Sequence, residues 1–107
     1  MMDFMKMIGQ MKDVQAKVKE VREQVTRLQA TGESGGGLVK ATIDGNKRVL
    51  SIAIDDELIK PTDKQMLQDL VAAAINIATS EIDAKIKEEI KKSTDGILPN
   101  LPLDFLV

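Results

Sequence analysis

Apolar residues return every three or four positions through the first 28 residues, and the period then changes twice. Phe4, Met7, Met11, Val14, Val18, Val21, Val25 and Leu28 are spaced alternately by three and four, which is four heptads of a and d positions without a gap. A straight helix drifts off such a stripe, so the repeat predicts a helix over residues 3–28 whose seam faces another long helix. At ~1.5 Å per residue that helix is about 39 Å long. It cannot lie wholly on a small sheet, so part of it must project and find a partner, either the second helix or a copy of itself. Gly9 falls opposite the seam.

Over residues 29–55 the period drops to two. Two turn signals, Gly35-Gly36-Gly37 and Asp44-Gly45-Asn46, set off alternating runs at 38–43 and 47–54, and residues 30–34 supply a third, outer strand. The prediction is an antiparallel three-stranded meander, with Gly45 supplying the positive φ that a tight Asp-Gly turn requires. In the last strand Leu50, Ile52 and Ile54 fall on one face, and Val49, Ser51 and Ala53 on the other. A small sheet with one apolar face needs a cover, and the flanking helices are available to provide it.

The helical period resumes over residues 62–94. Pro61 precedes its start, and Thr62 with Gln65 reads as a capping box. One broad face carries Leu67, Leu70, Val71, Ala74, Ile75 and Ala78, with small residues concentrated at 71–74. Beyond residue 80 the face narrows to Ile82, Ile86 and Ile90 among charges, the pattern of a second projecting coil. Asp95-Gly96 ends the helix, and a tail over 95–107 with Pro99 and Pro102 reads as irregular. The chain is therefore read as a single α+β domain: helix 3–28, meander 29–55, helix 62–94 and tail 95–107.

Composition narrows the chemistry. The 107 residues include no His and no Cys, which removes disulfides, thiol nucleophiles, the usual zinc sites and imidazole acid–base catalysis. No enzyme is expected, and no cofactor, metal or small-molecule substrate. Gly35-Gly36-Gly37 lacks the Lys-Ser/Thr and helix of a phosphate-binding loop and is read as a turn. Asp55-Asp56-Glu57 is read as a charged connector rather than a cation site. No run of 18 apolar residues appears and no cleavage signal follows the first residues, so a cytoplasmic protein without membrane contact is expected. Net charge is −2, but residues 6–27 hold six basic side chains against three acidic ones. Lys12 and Lys19 share a lateral position on the predicted helix, with Arg22 read as lying across the seam.

The order of elements, with Thr31-Gly32-Glu33-Ser34-Gly35, Gly37-Leu38-Val39-Lys40, Thr42-Ile43-Asp44-Gly45, Ile54-Asp55, Leu58 and the block Asp69-Leu70-Val71-Ala72-Ala73-Ala74-Ile75-Asn76, resembles the YbaB/EbfC family of bacterial nucleoid-associated proteins. Gly96 and Leu98-Pro99 extend the match more loosely into the tail. The resemblance implies a homodimer with projecting helical arms that binds double-stranded DNA in the cytoplasm, at the nucleoid, and takes part in gene regulation. It places DNA contact on the arms, which here nominates Lys12, Lys17, Lys19, Arg22, Arg27, Lys91 and Lys92. Met11, Val14, Val18, Val21, Val25, Leu28, Val71, Ala74 and Ile75 are the expected core or dimer seam. Phosphate contact needs several cations on one surface, and with no aromatic residues interleaved, base stacking is not expected. The alternative reading is a coiled-coil interaction module of the prefoldin kind. It draws on the methionine-rich start, since methionine suits adaptable binding. The small-residue run at 72–74 favours a tight body instead.

Overall fold

The computed structural model describes residues 2–94, with side chains from 5 to 93; Phe4 as a seam residue and the expected irregular tail 95–107 lie outside the described residues. Helix α1 spans Met2–Thr26, strands β1, β2 and β3 span Gln29–Ser34, Val39–Asp44 and Val49–Ile54, and helix α2 spans Lys64–Thr94. The strands form one antiparallel sheet in the order β1-β2-β3. The molecule is a rod, 75 × 18 × 16 Å.

One sheet face is apolar because the register stacks it. Ala30 pairs with Ile43, Gly32 with Ala41 and Ser34 with Val39, and all six are buried. The opposite face carries Thr31, Glu33, Lys40 and Thr42, with the Thr31 and Thr42 hydroxyls 3.1 Å apart in a hydrogen bond. Helix α2 covers the apolar face through Ala74 and Ala78, and the fit on β1 is backbone against backbone. A Cβ built on Gly32 would meet the Ala74 carbonyl oxygen and the Ala78 nitrogen. Of the small-residue run predicted at 71–74, Ala74 makes this close approach, joined by Ala78 one turn on, while Ala72 is exposed. Buried Ser34 finds its partner on the same helix, donating to the Leu70 carbonyl oxygen at 2.6 Å.

One helix about 10 Å wide cannot cover three strands spaced ~4.8 Å apart. The uncovered strand is β3, with Leu50 49% and Ile52 39% exposed. The expectation that the flanking helices would cover the whole apolar face is corrected accordingly. A bulge between Thr42 and Ile43 also alters the predicted faces: Thr42 pairs with Ser51 and Ile43 with Val49, so Leu50 is the extra residue and Val49 joins the apolar side.

The second turn departs from prediction in its mechanism. All three glycines at 35–37 have positive φ, but Gly45 does not; the left-handed residue of the second turn is Lys47, at φ 64°. Asp44 organises that loop: its Oδ1 accepts from the Asn46 and Arg48 backbone nitrogens at 2.9 and 3.0 Å, and its carbonyl accepts from Lys47 N at 2.9 Å. Such a three-residue hairpin loop puts the left-handed position last. Gly45 is required for another reason, since a Cβ there would run into the Val25 carbonyl at the root of α1. The capping box is likewise replaced. Thr62 lies in a short 3-10 turn, Pro61–Asp63, and Gln65 reaches forward to Asp69 Oδ1 at 3.0 Å instead of back to Thr62.

Candidate nucleic-acid interface

The heptad stripe of α1 divides in two. Its C-terminal part is core: Val21 and Val25 are buried with Ile82, Ile86 and Ile90 of α2, and Val18 and Leu28 pack against them. The two helices are antiparallel, because Lys85 Nζ donates to the Gln29 carbonyl at 2.7 Å while Ser93 Oγ, two turns on, donates to Gln24 Oε1 at 3.1 Å. The charged second half of α2 is therefore not a free coil; it buttresses the root of α1. Beyond the level of Thr94, α1 runs on alone. From residue 5 to 17 every described side chain is exposed except those of Val14 and Lys17, which are half-buried. That arm is about 20 Å long at ~1.5 Å per residue.

Lys12, Lys19 and Arg22 lie on one flank of the arm. Lys19 and Arg22 line the same open groove with Val14, Gln15, Val18, Glu23 and Thr26. Residues three apart are neighbours on a helix, so Arg22 stands beside Lys19 rather than across the seam. Lys12 and Lys19 are exposed and make no ion pair with any described residue. Lys17 sits on the other side of the stripe, 3.8 Å from Glu20 Oε1. Lys91 and Lys92 are exposed in the last turn of α2, where the helix dipole favours cations. The Ser93–Gln24 bond puts them level with residues 25–26 of α1, about a turn on the body side of Arg22. Arg27 stands apart: it is exposed in the turn after α1, about 12 Å along the axis from Lys19 at ~1.5 Å per residue.

The basic residues of the sheet do not join this surface. Lys40 is 3.6 Å from Glu33 across the β1–β2 ladder, and Lys47 is 3.1 Å from Asp83 of α2. Of the nominated seam residues, Val21, Val25 and Ala74 are buried and Val18, Leu28, Val71 and Ile75 are partly so, while Met11 is 59% exposed and Val14 half-buried. Asp55 Oδ1 is occupied by the Glu57 backbone nitrogen at 2.9 Å, which makes the acidic connector a cap for a 3-10 turn. Sequence reasoning missed the exposed apolar strip of β3. The signal for it was present: a strand from 49 to 54 with no charge and Ser51 as its one polar residue. Lys6, also exposed on the arm, was counted among the basic residues but not nominated.

Among the described residues no helix is long and apolar enough to cross a membrane. A family model described as the YbaB/EbfC DNA-binding family matches residues 1–97. A nucleoid-associated protein of Chlorobium phaeobacteroides (strain BS1) is 42% identical over 98 residues, covering 92% of this chain and 86% of its own length. Another, from Chlorobium chlorochromatii (strain CaD3), is 46% identical over 99 residues, covering 90% and 82%. The crystal structure of an uncharacterized protein from Helicobacter pylori superposes with a TM-score of 0.69 at 24% identity, covering 86% of this chain and 97% of that one, and shares the fold.

Proposed function

The chain belongs to the YbaB/EbfC DNA-binding family, and from that premise we propose that it acts at the nucleoid as a homodimer whose α1 arms grip double-stranded DNA through its phosphates. The observation that carries this reading is the arm itself. It leaves the body unaccompanied and presents Lys12, Lys19 and Arg22 along one flank, with Lys91 and Lys92 at its root. Lys17 and Arg27 contribute more weakly, the first through its pair with Glu20 and the second through its distance. Cations spaced along a rod suit a phosphate backbone and carry little sequence information. Net charge of −2 does not forbid this, because attraction at the arm is set by charges within a Debye length of about 8 Å. Ala74 and Ala78 of α2 are spent on the close contact with β1, which favours a tight body over a free coiled-coil module.

The proposed dimerisation is supported by β3. It is an edge strand of six residues, VLSIAI, with no Lys, Pro or other charge to block pairing, and its inner-face side chains are uncovered. Edges of that kind are covered in stable proteins, and a second copy is the cover proposed here. Leu50→Asp with Ile52→Asp then gives a monomer in sedimentation equilibrium at concentrations where the parent is a dimer. A parent that sediments as a monomer at tens of micromolar removes the clasp.

The DNA reading is tested by titrating salt against binding of the parent to a random-sequence duplex. Affinity is expected to fall roughly 10³-fold or more between about 50 and 200 mM salt, as for a protein making several phosphate contacts. A flat salt dependence eliminates phosphate contact as the basis of binding.

A further inference from the structure

The bare part of α1 has a face that phosphate contact does not use. Met7 is 58% and Met11 59% exposed, and with half-buried Val14 they form one stripe. Gln10 and Gln15 border it, one on each side, and line the same open groove. At about 100° per residue the two glutamines stand ~70° from the middle of the stripe, and the lysines stand further round. Lys12 and Lys19 lie on the side of Gln15, Lys6 and Lys17 on the side of Gln10. We infer that this face enters the major groove of DNA, with Met7, Met11 and Val14 against thymine methyl groups and Gln10 and Gln15 on adenine edges, so that the arm favours A·T-rich duplex. The inference rests on the proposal that the arm grips DNA, and it adds which bases are read and by which residues.

Width comes first. An α-helix with its side chains is about 10–12 Å across, and the major groove is about 12 Å wide and ~8.5 Å deep. The bare arm fits. The root, where α2 packs on α1 with axes about 8–10 Å apart, is nearly twice as wide and does not. DNA therefore seats along the arm only as far as the end of α2, where Lys91 and Lys92 stand in the last turn.

Charge comes second. A phosphate strand walls the major groove on each side, and the arm carries cations on each side of its stripe. Lys12 and Lys19, both exposed, meet one wall; exposed Lys6 and half-buried Lys17 meet the other. Asp13 and Glu20 fall on the second side, and Glu20 holds Lys17 at 3.8 Å, so that wall is gripped less strongly. A second copy's arm is the poorer occupant, because it would set Lys6, Lys12 and Lys17 against the same three residues.

The chemistry of the groove floor is third. Thymine presents a methyl group there, and adenine presents an acceptor at N7 beside a donor at N6. Flexible thioether side chains and Val14 give the methyl an apolar contact, and a primary amide has both the donor and the acceptor that adenine needs. The minor groove shows no methyl group and, at about 6 Å, is too narrow for a helix.

The test compares the full chain on duplexes of equal length by fluorescence anisotropy. An alternating A·T duplex should bind about fourfold or more tightly than the same duplex with deoxyuridine in place of thymidine, the equivalent of one buried methyl group. Met7→Gln with Met11→Gln keeps charge and helix propensity, and should bring that ratio close to one while leaving the salt dependence unchanged. Replacing adenine by 7-deazaadenine, which lacks N7, should weaken the parent roughly fivefold and the variant Gln10→Ala with Gln15→Ala hardly at all. An equal loss in that variant takes adenine recognition away from the two glutamines. Steep salt dependence with no methyl effect overturns the major-groove seat and leaves phosphate contact standing. A methyl effect of the same size in the parent and in the methionine variant also overturns it, because another surface then reads the base. Salt-independent binding removes the proposed phosphate grip itself, and the seat with it. Without DNA, a smaller assembly for the methionine variant than for the parent in sedimentation equilibrium means that a second copy covers the stripe, and overturns the assignment.

Discussion

Gly32→Ala will destabilise the protein by about 3 kcal/mol, at the upper end of the usual cost of overpacking. One methyl has so large an effect because its neighbours are not side chains. The atoms it would meet are the Ala74 carbonyl oxygen and the Ala78 nitrogen, both in the backbone of α2, and no rotamer change moves them. Relief requires α2 to lift from β1, which breaks the 2.6 Å bond from Ser34 to Leu70 and opens the core around Ala30, Val39 and Ala41. Against a typical domain stability of roughly 5–15 kcal/mol, that is a large fraction. Two other glycines calibrate the result. Gly36 has φ 69° and open space around its Cβ position, so Gly36→Ala costs about 1–2 kcal/mol of backbone strain alone. Gly9 lies in the arm with nothing within 4 Å, and Gly9→Ala gains up to about 1 kcal/mol of helix propensity, read as added ellipticity. Urea midpoints rank the three, and a Gly32→Ala midpoint equal to the parent's would mean that α2 does not sit on the β1 backbone.

Gly32 also marks the boundary of what could be read from the chain alone. The meander, its two turns and the long helices were legible because each rests on local periodicity and turn chemistry, which neighbouring residues determine. Gly32 was noticed only as part of a resemblance, since its role depends on Ala74 and Ala78, some forty residues away. The same holds for Gly45: a turn glycine was foreseen, but the need comes from the Val25 carbonyl, and the positive φ passes to Lys47. The heptad stripe was legible as a stripe, yet its division into a buried root and a bare arm depends on where α2 stops. That is a matter of helix length and strand register rather than of any residue in α1. For the candidate site, the identity of the arm cations was visible, but their grouping was not. Lys40 and Lys47, by contrast, are paired with Glu33 and Asp83, which only folding brings to them.

Replacing Lys12, Lys19 and Arg22 by alanine should weaken duplex binding by roughly 10³-fold at low salt and flatten its salt dependence. In a dimer the substitution retires about six phosphate contacts, each of which releases ~0.9 counterion, so the slope of log K against log salt loses about 5 units. All three side chains are exposed, so the fold should survive, with unchanged ellipticity and urea midpoint as the check. The needed control is one of equal charge. Lys40→Ala, Lys60→Ala and Lys64→Ala together also remove three positive charges from a chain of net charge −2, again from exposed positions, but from the body rather than the arm. If binding responds only to total charge, the two triple variants behave alike. If the arm is the contact surface, the body variant keeps nearly the parental slope while the arm variant loses it. Coulomb attraction to a phosphate falls with distance and is screened beyond about 8 Å at physiological salt, so a cation on the far side of the sheet contributes little to DNA held along α1. Equal slopes for the two variants would place the DNA elsewhere on the molecule.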